Sequence, residues 1–95
     1  MTDYDSKIIR RKIRVSGSVQ GVGFRYRMEY ASSMVGTTGW VRNEPDGSVL
    51  LEIQGTEAQI DKVFIMVSQG TYVNIENMNV ETIPLLEDEY GFRIK

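Results

Sequence analysis

A chain of 95 residues with 41% hydrophobic and 25% charged content is long enough for one domain with a thin core, and its composition excludes wholesale disorder. The complete absence of Cys excludes a disulfide framework, a zinc ribbon and a thiol nucleophile; the absence of His removes imidazole acid–base chemistry and every Ser-His-Asp arrangement. A net charge of −2 argues against sequence-independent binding of nucleic acid, but residues 1–48 carry eight basic and five acidic side chains while residues 49–95 carry three and eight, so a small anion is steered toward the first half.

Residues 1–7 are polar, without the apolar stretch of a signal peptide, and are expected to form a loose tail before a single domain at 8–95. No apolar run approaches the ~20 residues of a spanning helix, so no membrane partner and a cytoplasmic location are expected; a monomer is expected as well. From Ile9 the chain alternates. Ile9, Ile13, Val15 and Val19 share one parity, and Arg10, Lys12, Arg14, Ser16 and Ser18 share the other, with Arg11 the exception on the apolar side. Period two with one polar face predicts a strand, and the basic set Lys7, Arg10, Arg11, Lys12 and Arg14 is read as its solvated face.

Gly21 and Gly23 interrupt that strand, after which Phe24, Met28, Ala31 and Val35 recur at helical spacing up to a stop at Gly36. Trp40 and Val41 open a second strand that runs to Asn43. Glu44-Pro45-Asp46-Gly47 is a strong turn signal, and the alternation of Val49, Leu51 and Ile53 predicts the returning strand of a hairpin. Thr56 with Gln59 has the form of a capping box ahead of the stripe Ile60, Val63, Phe64 and Val67. The β-rich segment Val73–Pro84 loses its alternation near Asn77-Met78, as a bulge would make it, and Gly91–Ile94 offers a short last strand. Glu87-Asp88-Glu89 reads as an exposed acidic loop.

The order β-α-β-β-α-β predicts an α+β, ferredoxin-like sandwich, an antiparallel sheet with two helices on one face. In that topology strands one and two run the same way with strand three between them. The loop after strand one and Asn43 at the end of strand two then emerge at one sheet edge.

That loop, Gly17-Ser18-Val19-Gln20-Gly21-Val22-Gly23-Phe24-Arg25, concentrates the chemistry. Two glycines between a strand and a helix let successive N–H groups turn inward as an anion nest, and the helix N-terminus adds unpaired donors. Arg25 contributes a permanent planar cation with a fork suited to phosphate oxygens. Neither the Walker pattern nor the dinucleotide fingerprint is present. Read from the residues alone, the favoured roles are a surface arginine for Arg25 and, for Asn43, a turn-entry residue bonding the Pro45-Asp46 backbone. Tyr26, Tyr30 and Trp40 are read as core or rim aromatics. Glu57 and Asp61 lack a third ligand, so no metal site is expected.

The paired motifs Val19-Gln20-Gly21-Val22-Gly23-Phe24-Arg25 and Gly39-Trp40-Val41-Arg42-Asn43, followed by Pro45-Asp46-Gly47-Ser48-Val49, resemble the acylphosphatases. Gly17, Ala31, Gly36 and Gln54-Gly55 support the resemblance, which is strong over residues 12–67 and weaker beyond. The sequence departs at Gln69-Gly70-Thr71-Tyr72, where that family usually has Gly-Pro and a small residue. The resemblance implies hydrolysis of the carboxyl–phosphate bond of a small-molecule acyl phosphate to carboxylate and inorganic phosphate, with no cofactor. It also implies that Arg25 and the amides of Gln20, Gly21, Val22, Gly23, Phe24 and Arg25 hold the phosphate, and that Asn43 positions the water. The nearby carboxylates Glu29, Glu44 and Asp46 are read as solvated, Asp46 shaping the turn. Two other readings are a non-catalytic binding module of the same fold and an RNA-binding domain of the same strand order. The latter is disfavoured because strand three, Val49–Ile53, has no aromatic residue to stack a base.

Overall fold

The computed structural model describes residues 6–70 and 72–95. The elements follow the expected order: β1 (Ile8–Ser18), α1 (Phe24–Val35), β2 (Thr38–Asn43), β3 (Val49–Thr56), α2 (Glu57–Ser68), β4 (Asn74–Ile83) and β5 (Phe92–Ile94). Most of the expected tail, residues 1–5, lies outside the described residues. The strands form one sheet in the order β4-β1-β3-β2-β5. β1 and β2 each pair antiparallel to β3, which therefore separates two strands of the same direction. β5 pairs parallel to β2, through Gly39↔Phe92 to Val41↔Ile94. The sheet is thus mixed and not purely antiparallel. A fifth strand that returns beyond β2 must lie along its open edge, and nothing in three residues of local sequence sets that direction.

Alternation sorts each strand into two faces. Ile13, Val15, Leu51 and Ile53 face the helices and are almost fully buried, against Met28 of α1 and Ile60 and Val63 of α2. Truncating any one of them to Ala is worth about 2–5 kcal/mol. Arg11, the polar exception on this parity, lies at the rim with its Nη2 3.9 Å from Glu57 Oε1. The irregularity expected in the fourth strand is present: Ser16 pairs with Asn77 but Gly17 with Ile75, leaving Glu76 as the extra residue.

The two helices begin differently. α2 starts at a complete capping box, Thr56 accepting from Gln59 N and Gln59 from Thr56 N. α1 starts from Gly23 with no side-chain cap and no acidic residue in its first turn. One helix satisfies its own N-terminal donors, and the other leaves them open.

The face of the sheet away from the helices corrects the sequence reading. Arg10 is not solvated but 1% exposed. Its Nε donates to Glu52 Oε1 at 2.9 Å, and its Nη1 and Nη2 donate to the two carboxylate oxygens of Glu89 at 2.7 and 3.1 Å. Glu89 therefore does not belong to an exposed acidic loop either. Gln54 holds the covering segment in place by exchanging hydrogen bonds with the backbone of Leu86. The even-numbered positions of β1 are polar as the alternation predicts, but polar does not mean wet: a later segment crosses over them. Trp40 is also largely buried on this parity, with Lys95 Nζ 4.4 Å and Arg42 Cζ 5.2 Å from its ring centroid.

Candidate active site

The β1–α1 loop is held open by backbone conformation. Gly21 and Gly23 adopt φ of +73° and +82°, a region that costs an L side chain energy and glycine very little. Between them Val22 packs against the core, and Phe24, 1% exposed, plugs the loop into it. The Phe24 side chain is thus an anchor with only its backbone available to a ligand, while Val22 is half-buried. Among the described residues, none of the N–H groups of residues 20–25 donates to a protein acceptor, the first turn of α1 closing only with Arg27 N to Gly23 O at 3.0 Å. Val19, Gly21, Gly23, Phe24, Arg25 and Tyr26 line a cavity of about 260 Å³ over this row of donors.

Arg25 is half-buried in the lining of the cavity, and its guanidinium forms no ion pair or hydrogen bond among the described residues. Asn43 is half-buried at the end of β2, opposite Val49. Its Oδ1 is buried without a hydrogen-bond partner. A buried carbonyl oxygen without a donor costs about 1–3 kcal/mol unless something supplies one. The turn-entry role open to Asn43 in the sequence is taken by Asp46, whose Oδ1 accepts from Ser48 Oγ at 2.6 Å and Ser48 N at 2.9 Å. Those two bonds, hydroxyl first, hold the Asp46 carboxyl below the usual carboxylate range.

The two halves of the site are tied by a contact that the sequence reading missed. Gln20 Nε2 donates to the carbonyl oxygens of Glu44 and Ser48, both at 2.8 Å. Glu44 N in turn donates to Ser48 O at 2.9 Å, and Arg14 Nη1 to Ser48 Oγ at 2.9 Å. Of the carboxylates expected to be solvated, Asp46 is exposed, but Glu29 is half-buried. The Glu44 side chain is 16% exposed and lies 3.2 Å from Arg42 Nε and 3.6 Å from Arg14 Nη2. A polar Gln in a loop of small and apolar residues was the available signal for the tether, but its partners are main-chain atoms and carry no sequence signature. Tyr26 and Tyr30 are rim residues, 67% and 65% exposed. Among the described residues no cluster of three or more His, Cys, Asp or Glu could hold a metal ion, and no helix is long and apolar enough to cross a membrane.

Fold and site together define a small ferredoxin-like α+β domain with a row of unbonded amides and an unpaired arginine at the edge where β1 and β2 end. Residues 11–94 match the Acylphosphatase family, and the chain belongs to that family. It is 42% identical over 86 residues to the acylphosphatase of Oceanobacillus iheyensis, covering 88% of this chain and 94% of that one. Its structure is similar to that of an acylphosphatase from Bacillus subtilis, with a TM-score of 0.82, 31% identity and coverage of 92% and 98% of the two chains. An acylphosphatase from Coxiella burnetii aligns over 100% of both chains with a TM-score of 0.81 and 31% identity. The activity is accordingly that of an acylphosphatase: hydrolysis of the carboxyl–phosphate bond to a carboxylate and inorganic phosphate.

Proposed function

We propose that the phosphate of a small-molecule acyl phosphate sits in the β1–α1 loop, held by the N–H groups of residues 20–25 and the Arg25 guanidinium, with Asn43 positioning the attacking water. The observation that carries this reading is the buried, unpartnered Oδ1 of Asn43 at the same sheet edge as six unbonded amides. The amides and Arg25 neutralise charge on the equatorial oxygens as the bond to the carboxylate lengthens. Asn43 Oδ1 accepts a hydrogen bond from the water and holds the water oxygen in line with the phosphorus.

A carboxylate leaves readily, so no general acid is required. The water's proton passes to a phosphoryl oxygen of the substrate itself. The chemistry is complete without an imidazole, a thiol, a metal ion or a cofactor. The enzyme is further proposed to act as a cytoplasmic monomer that binds neither nucleic acid nor membrane, in keeping with its net charge of −2.

Release of phosphate from acetyl phosphate tests the reading. Arg25→Ala is expected to lower the rate about a thousandfold, and Arg25→Lys to recover little, because Lys keeps the charge but loses the bidentate fork. Chelator should leave wild-type turnover unchanged. A fully active Lys variant, or activity lost to chelator and restored by a divalent ion, contradicts the proposal.

A further inference from the structure

Beside the phosphate cradle lies a second, larger and more apolar cavity that the hydrolytic chemistry does not use. It measures about 540 Å³, within the range of small-ligand pockets, and lies between the exposed face of α1 and the end of α2. Val22, Tyr26, Tyr30 and Met66 give it apolar walls, and Arg27 and Gln69 form its polar part. Tyr26 and Tyr30 stand one helical turn apart and leave two aromatic rings in solvent, although neither makes a hydrogen bond among the described residues. Arg27 likewise has no acidic partner among them. Its side chain lies flat across Gly70, where a Cβ would stand 2.6 Å from the Arg27 Nε.

Gly23 and Tyr26 line both this cavity and the cradle, so the two share a wall. The Gln20 tether to Glu44 and Ser48 joins the cradle loop to the β2–β3 turn, and neither Gln20 nor that turn lines the apolar cavity. A substrate held by its phosphate must lead its acyl group out of the cradle, and the flank over Gly23 and Tyr26 is the one lined with apolar surface. We propose that the cavity between α1 and α2 receives the acyl group of the substrate and makes the enzyme selective for acyl phosphates with an aromatic acyl group over acetyl-sized ones. The inference rests on the placement of phosphate in the loop proposed above. An aromatic ring in the cavity would meet the tyrosine rings of its lining, with Arg27 in the same lining to supply a cation–π contact. An acetyl group is too short to reach Tyr30 or Met66 and takes little from the cavity.

The test compares kcat/KM for benzoyl phosphate and acetyl phosphate in wild type, Tyr30→Ala and Tyr30→Phe. Tyr30 is two-thirds exposed and contributes nothing to the core, so both variants fold. Wild type should prefer benzoyl phosphate. Tyr30→Ala should lower the benzoyl-to-acetyl ratio about tenfold, chiefly through KM for benzoyl phosphate, and Tyr30→Phe should restore it because the ring is what the acyl group touches. Benzoate should also inhibit wild type more strongly than Tyr30→Ala. An unchanged ratio in Tyr30→Ala, with both substrates turned over, removes the acyl site and leaves the phosphate site standing. If wild type turned over both substrates but inorganic phosphate failed to compete with either, the placement of phosphate in the loop would fall, and this proposal with it.

Discussion

The side-chain amide of Gln20 donates to the main-chain carbonyl of Glu44 at 2.8 Å, joining the loop after β1 to the turn after β2 across 24 residues of sequence. Through this bond and its twin to Ser48 O, the amide row and Asn43 share one rigid frame. Gln20→Ala should therefore lower kcat about tenfold to a hundredfold by loosening the distance between phosphate and water, since misplacement on the scale of an ångström costs that much. The affinity for inorganic phosphate should weaken as well, because the loop itself loses an anchor. Steady-state kinetics with phosphate as competitive inhibitor measures both, and wild-type values for the pair would show that the loop positions itself without the tether.

Asn43→Ala tests whether positioning of water is separate from binding of phosphate. The expected result is a fall in kcat of about a hundredfold or more with the phosphate inhibition constant nearly unchanged, as for removal of a single preorganised polar group. Removing a buried, unpartnered carbonyl oxygen should also leave thermal stability equal or slightly higher, because nothing in the protein loses a bond. Equal losses of rate and of phosphate affinity would reassign Asn43 to the ligand.

The pH–rate profile should be flat across neutrality. The groups proposed to act on the substrate are a guanidinium, a carboxamide and main-chain amides, chemical types that exchange no proton near neutrality. Asp46 is held below the usual carboxylate range by Ser48 and is already ionised there. Glu44 is engaged by Arg14 and Arg42. Carboxamide variants Glu29→Gln, Glu44→Gln and Asp46→Asn are each expected to keep kcat within about tenfold, far short of the 10²–10⁴ that a general base supplies. A limb near neutrality that one of these variants abolishes would replace proton transfer to the substrate with general-base catalysis.

Glu89→Gln tests the buried ion pair on the far face of the sheet. Removing the charge opposite a buried guanidinium should destabilise the fold by about 3 kcal/mol, read as a lower denaturant midpoint, while kcat stays close to wild type. Burial raises the Glu89 carboxyl, but the hydrogen bonds and charge of Arg10, helped by Thr38, outweigh it and leave it below the ordinary glutamate range. Arg10 itself is pushed up: burial opposes its charge, and the bonds to Glu89 and Glu52 outweigh the burial. The contribution of Glu89 is thus fully present above the ordinary glutamate pKa of about 4.3 and is lost as pH falls through the lower value of the folded state. Wild type should lose stability steeply in acid below that point, and Glu89→Gln should lose less. Parallel acid curves for the two proteins would place the acid sensitivity elsewhere.

The sequence by itself determined the order of the elements, the capping box at Thr56, the turn at Pro45–Gly47 and the juxtaposition of the Gln20–Arg25 loop with Asn43. Each of these follows from short-range periodicity or turn chemistry, together with one topological rule about strand direction. The tertiary structure alone decided that Arg10 is buried, because the segment over it returns from residues 84–91 and alternation reports only parity, not what covers a face. It also decided that β5 runs parallel to β2, and that the Gln20 side chain ties its loop to the main chain of Glu44 and Ser48. The same holds for the apolar cavity beside the cradle. Its walls come from two helices more than thirty residues apart, Tyr30 on one and Met66 on the other, and each alone looks like an ordinary exposed helix face. Partners distant in sequence, and bonds to main-chain atoms, leave no pattern in the order of side chains; only the packing of helices on the sheet brings them together.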